Sequence, residues 1–95
     1  MGLNIGKVPT FQGVQPTKEQ ALKPLEESAE AFSAWQLWDN EGGGYHEREA
    51  ILEECADVIQ AACNLIVSLG VTDFTYYMQR CEARNRQRGR EYAQL

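Results

Sequence analysis

Histidine is nearly absent from this 95-residue chain, cysteine is sparse, and no apolar run approaches membrane-spanning length. Each shortage removes a class of function. The one histidine, His46, excludes the paired Glu-x-x-His motifs of a di-iron bundle and leaves zinc without its usual nitrogen ligands, so it reads as part of a helix start. Cys55, Cys63 and Cys81 are odd in number and lack Cys-x-x-Cys spacing, which excludes a disulfide framework or thiolate metal site. They fall on apolar helical positions and read as reduced packing residues, an expectation that favours the cytoplasm. The N-terminal stretch, broken by Gly2, Gly6, Pro9, Gly13 and Pro16, carries no signal-peptide pattern, and no membrane association is expected.

Positive charge is also short. The formal net charge is −5, which argues against a protein whose main task is coating nucleic acid. Five of the nine basic residues nevertheless lie in one segment, at Arg80, Arg84, Arg86, Arg88 and Arg90, where a local anion site or a solvated helix face is expected. The nearby aromatic residues lie on an inward stripe rather than between these arginines, so stable nucleic-acid binding lacks a stacking platform. Three consecutive glycines, Gly42 to Gly44, are not followed by a lysine and a Ser or Thr; they mark a connector rather than a phosphate-binding loop. Neither strand alternation nor an internal repeat is present.

What remains is helical. Residues 1–17 read as an extended arm whose isolated apolar side chains, Val8, Phe11 and Val14, would pack on a neighbour, with disorder as the alternative, and residues 18–95 as one all-α domain. A first helix is expected from Thr17 to about Trp38 with a break near Pro24, and a second from about Tyr45 to Leu69, stopped by Gly70. Thr72 is expected to cap a third from Asp73 to about Arg88, stopped by Gly89. A chain this short buries only a modest core, so the expected architecture is an antiparallel helical bundle completed by oligomerisation, as a homodimer or homotetramer.

Stepping about 100° per residue along the second helix places Ile51, Cys55, Val58, Ile59, Ala62, Leu65, Ile66 and Leu69 on one stripe, read as core. Glu54 and Asp57 lie on its flank with Ala61 and Asn64, whereas Glu53 points away. In the first helix Glu27 and Glu30 share a face with Ala31, Ala34, Leu37 and Trp38. Four carboxylates brought to a packed seam would repel one another or take up protons unless something positive sits among them. A hard divalent cation is the simplest such partner, because Mg²⁺ prefers carboxylate oxygen and keeps positions open for water and phosphate. The alternative is partial exposure with arginine pairing. On the third helix the stripe Phe74, Tyr77, Met78, Cys81 continues through Asn85 and Arg88, with Arg84 beside it. A face that turns polar in register suits phosphate oxygens, and a helix end emerging from the bundle gives the same pattern.

Glu26-Glu27-x-x-Glu30, a gap, then Glu54-x-x-Asp57 resembles the signature of the MazG-like all-α nucleoside triphosphate pyrophosphohydrolases. Asn64-Leu65 followed by Leu69-Gly70 looks like the end of that family's second metal-binding helix, and Arg84-Asn85-x-x-Arg88 resembles its basic C-terminal segment, with Arg84 where a lysine is frequent. The likeness covers roughly Lys23 to Gly89. The related phosphoribosyl-ATP pyrophosphatases carry a Tyr-His pair after the Asp; here Val58-Ile59-Gln60 follows, which disfavours that role.

The resemblance implies Mg²⁺-dependent hydrolysis, with Mn²⁺ as an alternative ion, of a nucleoside triphosphate to the monophosphate and pyrophosphate. It gives Glu27, Glu30, Glu54 and Asp57 the metal and catalytic roles. It also implies that Arg84 and Arg88 clamp the triphosphate and that Asn64 and Asn85 orient phosphate or sugar, with Trp35 or Trp38 available to stack on the base. A different class competes with this reading: a non-catalytic helical assembly module in which the same acids and arginines form structural salt bridges between subunits.

Overall fold

The computed structural model describes residues 2–93; Met1 of the expected arm and Gln94 and Leu95 of the expected domain lie outside the described residues. Among these the chain is all-helical, with three helices and no strand. None of the helices is long and apolar enough to cross a membrane.

Helix α1 spans Lys18–Asn40 and opens at Thr17, whose Oγ1 accepts a hydrogen bond from the Gln20 N–H at 3.2 Å. The break expected near Pro24 is not there: the helix runs unbroken through it. Proline's fixed φ is compatible with a helix, and its missing N–H costs one intrahelical bond. Ser28 Oγ donates to the Pro24 carbonyl at 2.7 Å, adding a contact on the following turn. After Asn40 the chain turns within residues 41–44, where Gly42 and Gly43 adopt φ of 79° and 85°, a region that side chains with a Cβ rarely occupy.

Helix α2, Tyr45–Ser68, folds back along α1, and this is the one helix pair that packs. Helix α3 spans Thr75–Gln87. It starts later than expected and without Thr72 as its cap, because Asp73 Oδ1 takes the Thr75 N–H at 3.0 Å and the Thr75 hydroxyl at 2.7 Å, forming a turn ahead of the helix. Gly89, at φ 83°, follows its end as expected.

The seam between α1 and α2 runs along Gln20, Pro24, Glu27, Ala31, Ala34 and Trp38 on one side and Ile51, Glu54, Val58, Ala61 and Leu65 on the other. The expected core stripe is therefore only partly right. The most buried residues are Ala61, 7% exposed, and Asn64, 3% exposed, both placed on the flank by the sequence reading. The packed face of α2 is thus rotated from the expected stripe toward Ala61 and Asn64. The rotation leaves Cys55 exposed rather than packed, and Leu52 and Leu69 at 50% and 65% exposure. All three cysteines are free.

No α-carbon of α3 lies within 8 Å of one in α1 or α2, so an intrachain three-helix bundle does not form. The chain exposes 7769 Å², where a compact monomer of 10.7 kDa exposes about 5,500 Å². Its radius of gyration, 15.6 Å, exceeds the roughly 12 Å expected at this length. The arm, helix-free over residues 2–17, lies along α2: Gln60 Nε2 donates to the Pro9 carbonyl at 2.9 Å, and the Phe11 N–H donates to Asn64 Oδ1 at 3.0 Å.

Candidate active site

Glu27 and Glu30 stand three residues apart on α1, and Glu54 faces them from α2. One carboxylate oxygen from each lies within 4.8 Å of the others. Asp57, one turn beyond Glu54, shares a cavity wall with Glu27 and acts electrostatically on both Glu27 and Glu54. The seam therefore brings together the two acidic pairs that the sequence placed on separate helices.

The electrostatics of the group follow from this proximity. A hydrogen bond shared with Glu30 holds the Glu27 carboxyl above its ordinary value, and desolvation and the charges of Glu30 and Asp57 add to the effect. Burial raises Glu54, reinforced by Glu30 and Asp57. Glu54 Oε2 is buried and has no hydrogen-bond partner among the described residues. Lys23 is the cation that opposes the rise at Glu27, yet its ammonium is exposed and paired with Glu26 at 3.4 Å. The other ion pairs among the described residues, Arg48 with Glu49 and Arg86 with Glu82, leave the four carboxylates untouched.

The group consists of carboxylate oxygen alone, with Glu30 exposed, carries excess negative charge and includes the unpartnered Glu54 oxygen. His46 stands at the start of α2 against Tyr45, with ring centroids 6.0 Å apart, outside this group.

The other expected site residues are dispersed within one chain. Asn64 is buried beside the carboxylates and lines the same cavity as Glu27 and Asp57. Arg84, Asn85 and Arg88 cluster at the end of α3, away from the α1–α2 seam. Asn85 is held there by Tyr92 Oη, which accepts from its Nδ2 at 3.1 Å, and by Arg90 Nη1, which donates to its Oδ1 at 2.7 Å. Trp35 stacks on Phe32 with centroids 5.9 Å apart, and Trp38 lies against Gly43 with its indole N–H buried and unpartnered. Neither tryptophan lines the cavity beside the carboxylates.

Gln20, Lys23 and Gln60 of that cavity were given no site role in the sequence, and Phe11 was read there as an apolar residue of the arm alone. The available signal was Gln60 one turn before Asn64, two amides on a largely apolar helix that require partners once buried. Compared with family models, with curated proteins and with solved structures, the chain has no match.

Proposed function

We propose that the chain is a Mg²⁺-dependent nucleoside triphosphate pyrophosphohydrolase of the MazG-like all-α type, releasing pyrophosphate and the monophosphate. The observation that carries this reading is the approach of Glu27, Glu30 and Glu54 to within 4.8 Å of one another, beside Asp57, with Lys23, itself paired with Glu26, as the cation that acts on Glu27. In it, Glu27, Glu30, Glu54 and Asp57 hold the ion. A bound divalent cation supplies charge neutralisation at the phosphates and a water of lowered pKa. A carboxylate oxygen left free of the ion accepts the proton of the attacking water, a role suited to glutamates whose proton affinity is raised.

The arginines require an assembly. Arg84 and Arg88 reach the triphosphate, in this reading, from α3 of a second copy in a homodimer or homotetramer. The surface excess of roughly 2,300 Å² per chain is of the size that obligate interfaces cover. Leu52, Cys55, Ile59, Ala62, Ile66 and Leu69 repeat at alternating three- and four-residue steps along α2, beside the seam with α1, in the pattern of a helix-pairing stripe. Free cysteines support placing the protein in the cytoplasm.

Assaying pyrophosphate release from a panel of nucleoside triphosphates, with and without Mg²⁺, tests the proposal. Release that requires the ion is expected; its absence across the panel from the assembled protein removes the enzyme reading and leaves the assembly module.

A further inference from the structure

Helix α2 has three faces. Glu54, Val58, Ala61 and Leu65 lie on the face packed against α1, and Gln60 and Asn64, which hold the arm, lie on a second. Leu52, Cys55, Ile59, Ala62, Ile66 and, at the cap, Leu69 make the third, turned about 100° from the first and about 150° from the second. The two ends of this row are exposed, and Ile59, Ala62 and Ile66 between them are half-buried. They floor a groove of about 560 Å³ rimmed by Ile5 and Val8 of the arm and by Phe74 and Met78 at the start of α3.

The row is bounded at both ends. Arg48 stands one turn before Leu52, and after Leu69 the chain turns at Gly70, with φ 85°. Its six positions span about 25 Å of helix. They follow one another at steps of three, four, three, four and three residues, an order that is the same from either end. Two such rows laid antiparallel therefore meet position for position. The side-chain sizes also match in this direction: Leu52 faces Leu69, Cys55 faces Ile66 and Ile59 faces Ala62, so a small residue stands opposite each isoleucine. Laid parallel, Ile59 meets its own copy in one layer, and Ala62 and Cys55 meet theirs in others, which crowds one layer and leaves cavities in the rest. A slip of one heptad in the antiparallel arrangement pairs only four of the six positions, and in one direction it sets Arg48 against Ile66.

We infer that α2 of a second copy covers this face, antiparallel to the first across a two-fold axis between Ile59 and Ala62. The inference rests on the reading that a second copy completes the site, and it adds how that copy is oriented. The surface excess of roughly 2,300 Å² per chain exceeds the ~800 Å² that each partner gives to a stable interface. Orientation also decides what reaches the carboxylates. In the antiparallel register Glu54 lies level with position 67 of the second copy, seven residues before Phe74 and the start of its α3. In a parallel pair it lies level with position 54, twenty residues before that start. Antiparallel pairing thus carries the arginine-bearing helix of one chain toward the acidic group of the other.

Cross-linking of the full chain tests the orientation. With Cys63→Ser and Cys81→Ser in place, Cys55 is the only thiol, and antiparallel pairing sets its two copies eleven residues, about 16 Å, apart along the axis, beyond disulfide reach. Oxidation with copper phenanthroline is expected to leave this protein uncross-linked, and to form a covalent dimer at least tenfold faster once Ile66→Cys is added. Nitroxides on His46→Cys, with the native cysteines replaced by serine, give a second measurement that leaves Ile66 in place. His46 is exposed and lies off the row, and its two labels should stand more than about 40 Å apart, against roughly 25 Å or less in a parallel pair. Rapid cross-linking through Cys55 alone, a short His46 distance, or a protein that sediments as a monomer overturns the inference. Mg²⁺-dependent pyrophosphate release from a monomer overturns it and leaves the enzyme reading standing. Antiparallel pairing without turnover of any nucleoside triphosphate upholds the pairing and removes the enzyme reading.

Discussion

Phe11 and Asn64 lie 53 residues apart in sequence and are joined by a hydrogen bond of 3.0 Å, from the backbone N–H of the arm to the most buried polar side chain of the molecule. That bond turns an extended arm without helix or strand into a wall of the cavity beside the carboxylates. It also makes the position of the arm depend on α2.

Removing the acceptor should release the arm. Asn64→Ala leaves the Phe11 N–H and the Gln60 amide each short of a partner, at an expected cost of about 1–3 kcal/mol in unfolding free energy. Hydrogen exchange checks the local part: the Phe11 amide loses protection, while amides in the middle of α2 keep theirs relative to the new global stability.

Glu27 and Glu54 give the metal-free protein an unusual pH dependence. Both carboxyls titrate above the ordinary 4.5, so between that value and their raised folded values the folded chain binds protons more tightly than the unfolded chain. Their contribution is fully present below the unfolded pKa and is lost as pH rises through the folded pKa. Asp73 acts oppositely, since hydrogen bonds from Thr75 lower its pKa below the ordinary 3.8. Its stabilisation is present above the unfolded value and lost on acidification, below the window of the glutamates. In EDTA, Tm should therefore fall as pH rises from the ordinary carboxylate value of 4.5 toward neutrality, and Mg²⁺ should restore it at the upper end. A Tm that rises over this interval, or that ignores Mg²⁺ at pH 7.5, contradicts the assigned carboxylate group.

Neutralising one member separates stability from function. Glu54→Gln removes a repelled, partly desolvated charge, so in EDTA at neutral pH its Tm should equal or exceed that of the parent. The same change should weaken Mg²⁺ binding in isothermal titration and lower pyrophosphate release by about a hundredfold or more, as should Asp57→Asn. If both variants turned over normally, the metal assignment would be lost.

The stripe on α2 makes a prediction about assembly. Leu52 and Leu69 are exposed and contribute little to the fold of one chain, so Leu52→Lys combined with Leu69→Lys should leave helicity intact. Sedimentation should show the double variant shifted toward monomer, and pyrophosphate release should fall with it because the arginines of a second copy are withdrawn. An unaltered sedimentation coefficient places the interface elsewhere.

The three helices and their stops were legible in the chain because glycine, capping residues and 3.6-residue periodicity act locally. Gly70 and Gly89 end their helices by backbone conformation alone. The pairing of Glu27 and Glu30 on one helix face, and of Glu54 and Asp57 on another, followed from spacing in the same way. Pro24 misled because the cost of one missing bond is small beside the packing of a 23-residue helix.

Tertiary contact decided the rest. Which side of α2 meets α1 depends on how the two helix surfaces fit together, a property of the pair that neither helix carries alone. The same rotation brought Glu54 to Glu27 and Glu30, buried Asn64 and left Leu52 and Leu69 exposed. The docking of the arm joins backbone groups to amides more than fifty residues away, and no local pattern specifies such a partner. Sequence determined the elements and the chemistry each could present; packing geometry determined which of those groups share one cavity.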